Sequence, residues 1–242
     1  KMIIADRVKE TVENARQGVV LTLADFEVEP QYQQALVMSL SRMVKKGSLK
    51  KISKGKYYKP KESLFGTLPP VSAELVKDFL RQGGATVGYI TGTHAFAEMG
   101  LTTQISSTIV VGSNRYRRPL MRGDNKIAFL LQPNPIVDEE IPLLRILDAV
   151  KLFRDIPATS PDECIRLIMN MMDALPMAQK QKLLGLTVAY TPYVRALVGA
   201  MFESIAQPEL ANAMRLSLNG VTNFRLPISP SVLPNKKAWR ML

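Results

Sequence analysis

The chain has 242 residues and a formal net charge of +11 at pH 7, from 32 Lys and Arg against 21 Asp and Glu. Its 46% of hydrophobic residues predict a packed core rather than disorder. The one cysteine, Cys164, excludes an intrachain disulfide and a cysteine-cluster zinc site. No apolar run approaches the roughly 20 residues of a membrane span, and the first residues lack the order of a signal peptide. The sequence therefore predicts a cytoplasmic protein without membrane contact.

Three short elements are predicted before residue 30. Apolar residues at helical spacing predict a first helix over residues 2–16. The apolar run 19–21 is long enough for one small strand. Thr22 as N-cap and Asp25 three residues later are typical of a helix start. Because Pro30 disfavours helical geometry in the residue before it, this helix of one or two turns must end there.

The next helix is predicted to run from Pro30 to about Lys46, because proline suits a first helical turn and Gly47 favours a stop. One face is mainly apolar: Tyr32, Leu36, Ser39, Leu40 and Met43. The opposite face carries Gln31, Gln34, Met38, Ser41, Arg42 and Lys45. Amide, hydroxyl and cationic groups bind base edges and phosphates. For a helix taken alone, a solvated face is the simpler interpretation.

A strongly basic segment overlaps the end of this helix. Nine Lys and Arg and no acidic residue lie between Arg42 and Lys61, so removing these nine charges from +11 leaves +2. Residues 49–52 and 56–58 are predicted as two strands around Gly55, which can adopt the positive φ of a tight turn. Helix, strand, helix, longer helix and basic hairpin is the order of a winged helix-turn-helix. In that fold the third helix enters the major groove and the wing lies along the DNA backbone.

The second half of the chain changes from strands to helices. Residues 108–111, 115–121 and 127–131 are predicted as a three-stranded antiparallel meander separated by glycine-containing turns. After Asp138 the signals are helical, with apolar residues at helical spacing and proline at several helix starts. The tail from Val221 is rich in proline and is predicted to be extended.

These elements together predict an α+β fold. Its divisions are a winged helix-turn-helix domain, a linker, a small mixed α/β domain with the meander, an all-helical region and the extended tail. The corresponding predicted ranges are 1–62, 63–70, 71–135, 136–220 and 221–242.

No catalytic constellation accompanies this organisation. His94 is the one histidine, so a histidine pair for zinc or a second histidine base is missing from the sequence. Gly112-Ser113 followed by Asp124 is like the start of a nucleotidyltransferase site, but Lys126 stands where two-metal phosphoryl transfer needs a second carboxylate. Phosphate-loop and dinucleotide fingerprints are also missing. The sequence therefore predicts a protein that is not an enzyme and needs no cofactor or metal.

Two stretches resemble a known family. Residues 42–58, RMVKKGSLKKISKGKYY, are similar to the N-terminal winged-helix domain of AbiEi-type antitoxins of abortive-infection, type IV toxin–antitoxin systems. Residues 89–104, YITGTHAFAEMGLTTQ, with the strand at Ile109, resemble that family's second domain and are the more specific signal. The resemblance spans roughly residues 2–132. It implies a DNA-binding autorepressor of its own operon and antagonism of a nucleotidyltransferase-like toxin without a stable complex.

The leading hypothesis is binding of double-stranded DNA. The residues predicted to face bases are Gln31, Gln34, Ser41 and Arg42. Those predicted to hold phosphates are Lys45, Lys46, Lys50, Lys51, Lys54 and Lys56. An alternative is a protein-interaction module that binds a toxin or another acidic partner through the helical half and the basic patch. Three further basic residues would join that surface: Arg115, Arg117 and Arg118.

Overall fold

The computed structural model describes residues 4–64 and 66–242 and has a mixed α+β fold, as predicted. The chain forms two compact units. The first runs to Asp78 and also contains Pro119–Ile127, whereas the second comprises Phe79–Arg118 and Ala128–Leu242. The first unit therefore extends beyond the predicted boundary at residue 62 and takes in a hairpin from the predicted meander.

The elements up to residue 98 alternate between short helices and short strands. Their bounds are α1 Ile4–Asn14, β1 Val20–Thr22, β2 Lys50–Ser53, β3 Lys56–Tyr58, β4 Lys61–Ser63, β5 Gly66–Leu68, β6 Arg81–Gln82, β7 Ala85–Thr86 and β8 Gly88–Thr91, with α2 at Gln33–Lys45, α3 at Ser72–Leu80 and α4 at Gly92–Glu98. Residues 2 and 3 of the predicted first helix lie outside the described residues.

Three strands and five α-helices follow. Their bounds are β9 Thr108–Ser113, β10 Leu120–Arg122, β11 Asn125–Leu131, α5 Ile141–Leu152, α6 Pro161–Ala174, α7 Met177–Thr187, α8 Pro192–Ser204 and α9 Pro208–Leu216. Short 3-10 helices lie at Leu23–Phe26, Pro30–Tyr32, Asp138–Glu140 and Lys236–Trp239. The helical signals predicted after Asp138 are thus present in the structure.

The first unit is built around one small antiparallel sheet with the strand order β1-β3-β2. The predicted start signal at Thr22 is present, because its backbone N–H donates to Asp25 Oδ2 at 2.6 Å. The helix predicted from Pro30 begins as a 3-10 turn and becomes α-helical at Gln33. Leu36 and Leu40 of α2 are fully buried. They pack in a core with residues from α1, β1, the first 3-10 helix, the segment before β2 and strand β3: Val8, Val12, Leu21, Phe26, Leu49 and Tyr57.

Part of the predicted linker 63–70 is a hairpin. Strands β4 and β5 pair antiparallel with Ser63 opposite Gly66, and the Ser63 hydroxyl donates to Gly66 O at 2.7 Å. Gly66 has a φ of +103°, a backbone conformation that residues other than glycine rarely adopt. Gly66 in the predicted linker therefore closes a turn; Phe65 itself lies outside the described residues.

Both edges of the β1-β3-β2 sheet are held by later parts of the first unit. On β1, the Val20 N–H donates to Glu74 Oε2 at 2.9 Å, and Lys77 Nζ donates to Val20 O. On β2, Ile52 O accepts from the Gly123 N–H at 3.1 Å. Side chains of α3 and the turn between β10 and β11 thus satisfy edge groups that would otherwise attract another strand.

An ion-pair cluster joins these later segments to β3. Arg122 is buried, and its guanidinium donates to both carboxylate oxygens of Asp78 at 2.5 and 2.8 Å. Lys56 Nζ lies 3.1 Å from Asp78 Oδ2. Partial burial acts to raise the pKa of Asp78, but hydrogen bonds and positive charge from Arg122 and then Lys56 outweigh it, and the pKa lies below its ordinary value.

Replacing Asp78 by asparagine is expected to destabilise the first unit by about 1–3 kcal/mol at neutral pH, because it removes the carboxylate that neutralises buried Arg122. The partial exposure of Asp78 keeps the loss below that of a fully buried ion pair. A carboxyl whose folded pKa is depressed stabilises above its unfolded pKa of about 3.9, and that contribution is lost as pH falls through the folded pKa. The Gly123 amide should therefore exchange its hydrogen faster in Asp78→Asn than in wild type at pH 7. The difference between the two exchange rates should be smaller near pH 3. Glu10→Gln, at an exposed position on α1, is the control. Equal protection in wild type and Asp78→Asn at pH 7 would contradict this role.

The second unit departs from the predicted meander. Strand β9 lies between β8 and β11 in its sheet, and β8 pairs with it antiparallel. The strand predicted over 115–121 is wrong, since β10 covers just Leu120–Arg122. Pro119 has no backbone N–H with which to form a hydrogen bond to a neighbouring strand. The Arg117 guanidinium lies over the Phe79 ring, 5.2 Å from its centroid.

A buried polar network lies within the helical core of the second unit. Asp148 on α5 accepts hydrogen bonds from the hydroxyls of Tyr89 at 2.6 Å, Thr91 at 2.8 Å and Tyr190 at 3.0 Å. Gln132 donates to both tyrosine hydroxyls, at 2.7 and 2.8 Å. Burial raises the pKa of Asp148, and the three hydroxyl donors oppose that shift. The network joins the β8 region to α5 and to the end of α7.

Candidate nucleic-acid interface

The outward face of α2 is largely the one that the sequence predicted. Gln34, Ser41, Arg42 and Lys45 are exposed, opposite the buried Leu36 and Leu40. Within the described part of the chain, none of these four polar side chains has a hydrogen bond or ion pair of its own. The face therefore presents amide, hydroxyl and cationic groups that are free to bind a ligand.

Two exposed apolar side chains share this face. Val37 is 43% exposed and Met38 is 52% exposed. Apolar side chains of this kind contact the methyl group of thymine when a helix lies in the major groove. Helical periodicity alone predicted Met38 on this face, whereas Val37 was not predicted there.

Gln31 has a different position from the other predicted base-facing residues. It lies in the 3-10 turn Pro30–Tyr32, before α2 begins. Its side-chain amide donates to Glu29 Oε2 at 2.7 Å, so one of its donors is already used within the chain.

The hairpin formed by β2 and β3 presents three exposed lysines. Lys50 and Lys51 lie on β2, where a register shift separates Lys51 from Ser53, and Lys54 lies in the turn. Gly55 has φ of +71°, as the tight turn requires. Over the described ranges, the ammonium groups of these three lysines have neither an ion pair nor a hydrogen bond. They are cationic groups that remain available to an anionic partner.

Lys56 differs from the other predicted phosphate-binding lysines. Its side chain is 18% exposed and forms the ion pair with Asp78. The sequence alone does not reveal this ion pair, because Asp78 is 22 positions away and nothing local marks it as a partner. Lys56 therefore contributes to the support of the hairpin.

Two more lysines continue the positive surface. Lys45 and Lys46 are exposed at the C-terminal end of α2. Cations at this end of a helix interact favourably with its dipole. They lie between the polar face of α2 and the start of β2. Six cations without an ion pair in the described residues therefore follow one another along the chain from Arg42 to Lys54.

The three arginines predicted as a secondary basic contact belong to the second unit. Arg115 and Arg118 are exposed, whereas Arg117 is partly buried against Phe79. Arg115 also uses its backbone N–H to contact Ser113 Oγ at 3.2 Å.

The metal-ligating side chains and the thiol were the remaining candidates for chemistry in the part of the chain that the structure describes. No group of three or more His, Cys, Asp or Glu is placed there to hold a metal ion. Burial raises the pKa of the Cys164 thiol to about 12, so the reactive thiolate is disfavoured. No helix among the residues 4–64 and 66–242 is both long and apolar enough to cross a membrane.

Comparison with known proteins identifies the family to which the chain belongs. A model of the family of unknown function DUF6088 matches residues 7–154, more than half of the chain. The chain belongs to this family. Among solved structures, it is similar to the crystal structure of the RV2827C protein from Mycobacterium tuberculosis, with a TM-score of 0.49 and 14% sequence identity, over 91% of this chain and 83% of that one. A search among proteins with curated descriptions found no significant match.

Proposed function

We propose that the first unit is a winged helix-turn-helix domain that binds double-stranded DNA. In this proposal α2 is the recognition helix and the hairpin formed by β2 and β3 is the wing. The observation that carries it is the exposed polar face of α2, followed directly by a hairpin with exposed lysines. Among residues 4–64 and 66–242, neither that face nor those lysines have an acidic partner.

The two parts have different roles. Gln34, Ser41 and Arg42 bind base edges, because amides and guanidinium groups match the donor and acceptor patterns of the major groove. Lys45, Lys46, Lys50, Lys51 and Lys54 bind phosphates, which gives affinity without sequence preference. Lys56 is assigned to the support of the wing through Asp78.

The edge contacts of the sheet favour a wing that keeps its shape. Ile52 O is bonded to the Gly123 N–H, and Lys56 is paired with Asp78, so both strands of the hairpin are tied to later segments of the unit. A preorganised surface loses less conformational entropy on binding than a mobile loop does.

The biological role proposed for this DNA binding is autorepression of the antitoxin type, with antagonism of a nucleotidyltransferase-like toxin. It rests on the sequence resemblance of residues 42–58 and 89–104. A reporter gene placed behind the promoter of the gene that encodes this protein should be repressed by the wild-type protein. Repression that survives replacement of Lys50, Lys51 and Lys54 by glutamine would contradict control through the wing.

Replacing Arg42 by alanine tests base reading directly. A preferred site is first selected from random duplexes, and fluorescence anisotropy then compares that site with a scrambled duplex. Loss of a base contact should cost about 1–3 kcal/mol on the preferred site and much less on the scrambled one. Lys237→Gln, which removes one exposed charge from the second unit, is the control. Equal losses on both duplexes would rule out base reading by Arg42.

A further inference from the structure

A groove in the first unit borders the proposed recognition surface and shares Arg42 and Lys46 with it. It has a volume of about 510 Å³ and lies between α1, the C-terminal half of α2 and the segment after β3. Small-molecule sites in proteins typically have about 300–1,000 Å³. The residues that line it are Ala5, Lys9, Val12, Glu13, Ser39, Arg42, Met43, Lys46, Gly47, Ser48, Lys59 and Pro60.

The groove combines an apolar lining with an excess of positive charge. Apolar groups come from Ala5, Val12, Met43 and Pro60, and four cations outnumber the one carboxylate, Glu13. Two of the cations are already engaged. Lys9 lies 3.8 Å from Glu13 Oε1, and Lys59 Nζ donates to Glu13 O at 2.9 Å.

Arg42 and Lys46 are the other two cations that line the groove. Across the described residues neither side chain has an ion pair or hydrogen bond, and they lie one helical turn apart, at i and i+4, on the edge of α2 that borders the groove. A phosphodiester backbone would satisfy their charge, but it would leave the apolar lining without a partner. A ligand that matches the whole groove has an anionic group and an apolar body.

We infer that this groove binds a small organic anion with an apolar body, such as an aromatic or aliphatic carboxylate. Its carboxylate pairs with Arg42 and Lys46, and its body lies against Val12, Met43 and Pro60. Because both cations also belong to the proposed DNA surface, the ligand and DNA compete. The competition rests on the proposed function, whereas the binding of the anion does not.

The probe is 2-naphthoate, with the uncharged 2-naphthalenemethanol as its matched control, each titrated calorimetrically into the full chain. We expect saturable 1:1 binding of 2-naphthoate with a Kd of about 1 mM or lower, as for a fragment of this size. The alcohol should bind at least about 5-fold more weakly, because it lacks the charge that pairs with Arg42 and Lys46. Failure of 2-naphthoate to bind, or equal binding of the two compounds, would overturn the inference.

Two variants locate the site. Replacing Arg42 and Lys46 together by glutamine should weaken 2-naphthoate binding by about 10-fold. Lys126→Gln removes one charge from an exposed position of the same unit that does not line the groove, and it should leave binding unchanged. Naphthoate should also shift the amide resonances of Gly47 and Ser48 in wild type. Unchanged affinity in the double variant, or shifts confined to the second unit, would overturn the assignment.

The competition has its own measurement, so its failure is distinguishable from that of the proposed function. Saturating 2-naphthoate should lower affinity for the selected duplex by about 5-fold or more, whereas 2-naphthalenemethanol at the same concentration should not. If naphthoate binds and DNA binding is unaffected, the competition is wrong and the anion site remains. If the chain binds no duplex at all, the proposed function fails, and the calorimetric result still decides the site.

Discussion

Replacing Lys50, Lys51 and Lys54 together by glutamine is expected to lower affinity for duplex DNA several-hundred-fold at about 0.1 M salt. Each phosphate contact adds about 0.9 to the dependence of log K on log salt, which corresponds to roughly 8-fold in affinity at this concentration. Three contacts give a factor of about 500, and the slope should become less steep by about 2.7. Anisotropy titrations at several salt concentrations measure both quantities.

The control removes three positive charges from exposed positions outside the first unit: Arg225→Gln, Lys237→Gln and Arg240→Gln combined. This variant should retain the wild-type salt slope, since the charges do not lie on the wing. Equal effects of the two triple variants would show that DNA responds to net charge alone, and the assignment of the hairpin as a wing would then be wrong. Selected and scrambled duplexes should be affected alike by the hairpin variant, because phosphate contacts carry no sequence information.

Gly199→Ala is expected to destabilise the second unit by about 2–4 kcal/mol. A Cβ at this position of α8 would overlap the ring of Trp239 and lie 2.9 Å from Met214 Cβ. Trp239 is 2% exposed, and its indole N–H donates to Glu203 Oε2 at 2.7 Å, while Arg215 lies over its ring at 4.1 Å. Accommodating the methyl group requires displacement of this ring, and overpacking or loss of a buried tryptophan costs more than the roughly 1 kcal/mol that alanine gains in a helix.

Trp239 is the one tryptophan in the chain, so its fluorescence reports directly on this contact. Gly199→Ala should shift the emission to longer wavelength and lower the urea midpoint recorded at this probe. Gly185→Ala is the matched control, because Gly185 lies in α7 and an added Cβ there meets no atom within 4 Å. That control should be neutral or more stable by up to about 1 kcal/mol. Two variants with the same midpoint would contradict the close packing of Trp239 against α8.

The helices were more predictable than the strands. Leu36 and Leu40, four positions apart, fix the inward face of α2, and Leu143, Leu144 and Leu147 do the same for α5, because helical burial depends on local periodicity. The strand predicted over 115–121 failed because strand pairing depends on distant partners, which the pattern RYRRPLM does not reveal. Trp239 in the tail is buried and donates to Glu203, a partner 36 positions away that no local pattern indicates.

The sequence by itself determined the α+β class, the helix that carries Gln34, Ser41 and Arg42, and the basic hairpin after it, because all three follow from local periodicity, turn residues and charge. Tertiary structure decided which cations remain free. It pairs Lys56 with Asp78 and places Arg42 and Lys46 beside α1 at an apolar groove. It also assigns the hairpin at Gly123 to the first unit, where it contacts Ile52. These outcomes depend on contacts between residues far apart in the chain, and no local pattern encodes such contacts.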